Sequence, residues 1–167
     1  MYNAAKYIQT VDPAAHSPWE VILTYAGFHA LGWYRISHWL YQHNLHLLAA
    51  IVANFGKFFT KVEIHPGAQI GHHVFIDHGY GTVIGETAVI GDYVTILHGV
   101  TLGSRRPSSN PGEPRHPQIG NHVFIGAHAQ LLGNVHVGDH AKVGAAAVVL
   151  NDVPPYRTVV GNPGHLI

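Results

Sequence analysis

The chain has 167 residues with nine basic and nine acidic side chains, so it carries no overall field that would draw nucleic acid or an anionic membrane. That length suits one compact domain, or a small one docked on a repeat unit, rather than two separate globular domains. Hydrophobic residues make up 47% and charged ones 11%, a balance that favours an oligomer over a monomer needing water on every side. Cysteine is absent, which excludes disulfides, thiolate metal sites and a cysteine nucleophile.

From the N-terminus, Met1 to Thr10 lacks the basic patch and apolar run of a signal peptide, so a cytoplasmic protein is expected. Residues 1 to about 60 read as helical. Ser17-Pro18-Trp19-Glu20 has the form of a capping box with proline at the first helical position, and Gly27 is expected to break the helix that starts there. Phe28, Leu31, Arg35, His38 and Trp39 recur at helical spacing in a second helix, which Asn44 would close in a left-handed conformation. Leu45 to Phe59 forms a third. It is the most apolar stretch of the chain, but His46, Asn54 and Lys57 interrupt it and it is shorter than the ~20 residues that span a bilayer.

After Glu63 the period becomes six. Ile64, Ile70 and Ile76 form one aliphatic series, Ile84, Ile90, Ile96 and Leu102 a second, and Ile119, Ile125, Leu131, Val137, Val143 and Val149 a third. A small or β-branched residue sits two places before most of them, as at Ala68, Val74, Ala88 and Val94. Neither a helix nor a long strand keeps such a period on one face. Short strands joined by turns that return each aliphatic side chain to an interior column do, which predicts a hexapeptide β-helix.

The repeat breaks its own rule twice. Ile76 to Ile84 is a step of eight, across Asp77-His78-Gly79-Tyr80-Gly81, and Leu102 to Ile119 is a step of seventeen, with 104–117 looped out and ending in Arg115-His116-Pro117. Ionisable residues thus leave an apolar scaffold at both interruptions, where function is expected.

Several segments carry a resemblance to a known family. They are Asp12-Pro13-Ala14, Gly27-Phe28-His29-Ala30-Leu31, Tyr34-Arg35-Ile36 with His38-Trp39-Leu40, Glu63-Ile64-His65-Pro66, Ile76-Asp77-His78-Gly79, Gly85-Glu86-Thr87-Ala88, Gly99-Val100-Thr101-Leu102-Gly103, Arg115-His116-Pro117 and Asp152-Val153-Pro154-Pro155. Over nearly its whole length the chain resembles the serine acetyltransferase family of hexapeptide-repeat acyltransferases. The resemblance implies an α+β protein, with a helical domain at 1–61 followed by a left-handed parallel β-helix at 62–167. The left hand comes from the resemblance alone, because parallel crossovers are otherwise almost always right-handed.

That likeness also implies an activity: transfer of acetyl from acetyl-CoA to the hydroxyl of L-serine, the step before cysteine formation. His78 is then the general base, oriented by Glu63, where many members have aspartate. Asp12 and Asp77 would face the serine ammonium, Arg115 and His116 its carboxylate. Asp12 also reads as a turn or cap residue before Pro13. Acetyl-CoA is expected between adjacent subunits of a homotrimer near Gly103, Ser104, Ala127 and Ala145, with Lys142 facing the nucleotide phosphates. Dimerisation of trimers and docking of O-acetylserine sulfhydrylase on the terminal Ile167 are further implied partners. The segment from Ser104 to Pro114 departs from the family's glycine-rich turn, being bulkier and more basic. Two other readings stand beside this one: the same scaffold acting on homoserine or a sugar, and a zinc-dependent carbonic-anhydrase-type β-helix using some of the sixteen histidines. No metal is expected on the leading reading.

Overall fold

A computed structural model describes residues 2–106 and 113–167; Pro107 to Gly112, within the segment expected to loop out, lie outside the described residues. Four helices come first: α1 (Tyr2–Val11), α2 (Pro18–Thr24), α3 (Ala26–Gln42) and α4 (His46–Thr60). The start of α2 is capped as its sequence predicts. Glu20 N–H donates to the Ser17 side chain, and the Glu20 carboxylate reaches back to accept from His16 N–H at 2.8 Å. Asn44 takes a positive φ of 60° between α3 and α4, and Lys61 ends α4 in the same conformation.

One expectation fails at the α2/α3 junction. Gly27 lies inside α3, and the break falls at Tyr25, which is extended at φ −83°, ψ 112°. Glycine is needed at 27 for a different reason, since a Cβ there would collide with the Ile76 carbonyl, so its absence lets α3 lie directly on the coil.

Among the described residues fifteen short strands follow, arranged on the three sides of a prism. Side A holds β1 (Glu63–Ile64), β4 (Val83–Ile84), β7 (Thr101–Gly103), β10 (Gln130–Leu132) and β13 (Val148–Val149). Side B holds β2 (Gln69–Ile70), β5 (Val89–Ile90), β8 (Gln118–Ile119) and β11 (His136–Val137). Side C holds β3 (Phe75–Ile76), β6 (Thr95–Ile96), β9 (Phe124–Ile125), β12 (Lys142–Val143), β14 (Thr158–Val160) and β15 (His165–Leu166). All pairings are parallel except β14 with β15.

The pairing registers put Ile64, Ile84, Leu102, Leu131 and Val149 in one interior column. Every aliphatic residue of the three series is buried, as are Ala68, Val74, Ala88 and Val94 beside them. Each such side chain removed from water contributes about 1.5 to 3 kcal/mol, which explains how a glycine-rich chain holds a stable prism.

Both ends of the prism are covered. At the first coil the open carbonyls are met by side chains of α3: Tyr34 O–H donates to Ala68 O at 2.7 Å, Arg35 to Ile70 O and Gly71 O, and a His38 ring nitrogen lies 2.7 Å from Pro66 O. At the far end β15 folds back on β14, and Ile167 N–H donates to Thr158 O. No helix among the described residues is long and apolar enough to cross a membrane.

Candidate active site

The edge joining side C to side A carries the eight-residue step. Its two extra residues form a loop in which His78, Gly79 and Gly81 all have positive φ, and Gly81 N–H donates to Lys61 O on the preceding turn. The His78 ring leaves the prism here with 74% of its side chain exposed, its Nε2 3.7 Å from Asp77 Oδ1. Asp12, Tyr25, Asp77 and His78 line one cleft of about 420 Å³, with Gly27 and Ile76 as its floor. Asp12 serves as the turn residue that its position before Pro13 suggested, accepting from Ala14 N–H at 2.9 Å, and it lines the cleft as well.

Arg115 and His116 lie on another edge, between sides A and B. Arg115 forms an ion pair with Glu86 at 2.6 Å, and its backbone N–H and that of His116 both donate to Thr87 Oγ1. The His116 ring is buried flat over Gly85, where a Cβ would collide with it. Thr87 N–H points at His116 Nδ1 from 3.1 Å, which makes that nitrogen an acceptor and leaves the proton on Nε2. Burial first, and then the adjacent Arg115 guanidinium, lower the His116 pKa from its ordinary value, against an opposing pull from Glu86. His65 beside it is shifted down too, mainly by burial, and its Nδ1 accepts from Gly67 N–H.

Glu63 sits on side A between the two edges. Its carboxylate pairs with Lys57 at 2.5 Å and lines a second cleft, of about 450 Å³, with Tyr41, His65 and Glu86. No ion pair joins it to His78 among the described residues. The candidate acetyl-CoA residues divide in the same way: Gly103 and Ser104 leave side A towards the Arg115 edge, Ala127 and Ala145 lie on the His78 edge, and Lys142 is exposed on side C.

Three further residues lie near the site, of which Tyr25 and His98 were not singled out in the sequence. Tyr25 donates its O–H to Asp12 Oδ2 at 2.6 Å. His98 and His128 continue the His78 edge on later turns, ring centroids 6.0 Å and 4.9 Å apart in succession and edge-on to one another. The signal for the histidines was a shared place in the repeat. For Tyr25 there was none, since its partner is thirteen residues away across a helix.

The other histidines pack rather than cluster. His73, Tyr93, His122, His140 and Tyr156 stack face to face along the edge between sides B and C, with 4.7–4.9 Å between centroids and planes within 6° of parallel. All five have positive φ. Among the described residues no group of three or more His, Cys, Asp or Glu is arranged to hold a metal ion.

A prism of hexapeptide strands with a histidine raised at a slipped turn defines a hexapeptide-repeat transferase, and the bacterial transferase hexapeptide family (six repeats) matches residues 116–151. The chain belongs, more narrowly, to the serine acetyltransferase family. A serine acetyltransferase of Staphylococcus aureus is 48% identical over 167 residues, covering all of this chain and 77% of the relative. One from Synechococcus elongatus is 49% identical over 156 residues, covering 93% of this chain. Among solved structures, soybean serine acetyltransferase complexed with serine superposes with a TM-score of 0.92 at 44% identity over 98% of this chain. A serine acetyltransferase in complex with CoA does so with 0.92 at 42% identity, again over 98%. The chain spans 63% of the Synechococcus relative's length and 66% of each of these two solved chains. The coil is the left-handed parallel β-helix that the resemblance implies, and the two solved serine acetyltransferases superpose on it over 98% of this chain.

Proposed function

We propose that the chain transfers acetyl from acetyl-CoA to the hydroxyl of L-serine as a cytoplasmic enzyme of cysteine biosynthesis. The observation that carries this reading is the exposed His78 imidazole in a cleft that also holds two carboxylates, Asp12 and Asp77. Such a cleft suits a substrate with an ammonium group beside a hydroxyl. Similarity to proteins named serine acetyltransferase, including one solved with serine and one with CoA, supports the same acceptor and donor.

In the proposed reaction the serine hydroxyl oxygen attacks the thioester carbonyl while a His78 ring nitrogen takes its proton. The tetrahedral intermediate collapses, the carbon–sulfur bond breaks, and the CoA thiolate leaves with the proton returned by the imidazolium. No covalent enzyme intermediate is needed. For Glu63 to orient His78, its carboxylate must turn an oxygen to the imidazole, beside or in place of its pairing with Lys57.

Serine also needs a cation for its carboxylate, and Arg115 lies on the other edge of side A. A threefold assembly resolves this by setting the His78 edge of one chain against the Arg115 edge of the next. The same groove would take acetyl-CoA between Gly103 and Ser104 of one chain and Ala127 and Ala145 of its neighbour, with Lys142 towards the phosphates. Helix α4 supports assembly, since Leu47, Ile51, Phe55 and Phe58 are exposed on it. Docking of a sulfhydrylase by Ile167 requires β15 to peel from β14, because Ile167 is held to Thr158.

The test is thiol release from acetyl-CoA with serine, for the intact chain and for His78→Ala. A fall of at least about a hundredfold is expected, the scale of a lost general base. Equal or better turnover of homoserine would overturn serine as the acceptor, and loss of activity to a chelator would favour the zinc reading.

A further inference from the structure

Tyr25 stands where α2 gives way to α3, in an extended conformation, and lines the cleft of Asp12, Asp77 and His78. Its ring lies 6.4 Å from Phe75, tilted by 30°, so the phenol is braced by the coil beneath. Its O–H donates to Asp12 Oδ2 at 2.6 Å, while Asp12 Oδ1 accepts from Ala14 N–H at 2.9 Å. Each carboxylate oxygen therefore has a fixed donor from the chain itself, and the lone pairs left over define where a cation can sit.

We propose that Tyr25 is a positioning residue for the acceptor, clamping the Asp12 carboxylate in the orientation that receives the substrate ammonium. The inference rests on the serine reading of this cleft and deepens it. Without the phenol, the carboxylate is free to turn about its side-chain bonds, and α1 and α2 lose the polar tie between their facing ends. The phenol is well suited to the task. Burial, the hydrogen bond to Asp12, and the negative charges of Asp12, Glu20 and Asp77 all raise its pKa, so it remains a donor throughout the range in which an amine is protonated. Because it has no donor to spare, it does not compete with His78 for the reacting hydroxyl proton.

The position explains the broken helix as well. A continuous helix through residues 18–42 would give Tyr25 helical dihedral angles in place of its extended ones, and the ring would no longer point at Asp12. The interruption that sequence assigns to Gly27 is thus spent on placing a side chain.

Steady-state kinetics of Tyr25→Phe, Asp12→Asn and the double variant provide the test. Tyr25→Phe keeps the ring on Phe75 and removes only the donor. It should raise KM for serine about tenfold, lower kcat less than about threefold, and leave KM for acetyl-CoA as it was, since a hydrogen bond to a charged group is worth about that much. In the Asp12→Asn background the same change should add little, because the two groups act as one unit. Multiplicative effects in the double variant, an unchanged KM for serine, or equal rises in both KM values would overturn the inference, the last marking a loss of structure and not of positioning. Wild-type protein without serine-dependent thiol release would instead defeat the acceptor reading, and this inference with it.

Discussion

The His116 and His65 rings are biased towards the neutral form chiefly by burial, and each also has a backbone N–H aimed at its Nδ1. Both have pKa values lowered in the fold, while in the unfolded chain each titrates at about 6.5. Between the lowered value and that point the unfolded chain binds more protons, so stability rises with pH through the window and is lost on acidification. The thermal midpoint should therefore fall from pH 7.5 to 5.5, and His116→Asn, whose amide oxygen can still accept from Thr87, should flatten the slope. Identical slopes for variant and parent would refute the assignment. At this scale the sequence made the ionisable groups at the two interruptions visible, since a repeat advertises its exceptions. It did not reveal Tyr25, nor that Arg115 would be engaged by Glu86, because each depends on distances set by elements far apart in the chain.

The stacked rings between sides B and C show how an element pays for a difficult turn. His122 sits at φ 56°, a conformation that disfavours side chains with a Cβ by roughly 1–2 kcal/mol, and parallel stacking on Tyr93 and His140 offsets it. His122→Ala should keep the strain and lose the stacking, destabilising the protein by about 1–2 kcal/mol. His122→Gly loses the stacking but not the ease of the turn, so its urea midpoint should lie above that of the alanine variant; the reverse order would show that backbone strain is not what the rings offset. Strand positions were the most legible part of the chain. Aliphatic residues six apart admit one solution, and all thirteen are buried. The end of α2 was less so, because a glycine signals a helix break and a close approach with the same letter, and at Gly27 the close approach to Ile76 prevailed.

Across the whole molecule, the proposed threefold assembly, with the site divided between two edges of the prism, would make activity a property of neighbours. His78→Ala and Arg115→Ala, each inactive alone, should recover activity when unfolded together and refolded, since a mixed threefold ring contains sites with His78 from one chain and Arg115 from the next. Random mixing would restore about a quarter of the parent rate. No recovery would mean that each site is built within one chain. The composition hinted at assembly, but that Arg115 and His78 would lie on different edges of the prism could not be read before the coil was wound. That winding also limits how such a protein can change length. Eighteen residues make a full revolution, as from Val83 to Thr101 or Gln130 to Val148, so deleting that many would shorten the prism by about 4.8 Å and leave later edges facing as before. Deleting six would rotate everything downstream by a third of a revolution, and in the proposed assembly the guanidinium would then face away from the neighbour's imidazole. Insertions and losses are thus tolerated only as whole revolutions, or as excursions that rejoin in phase, as the segment before Gln118 does.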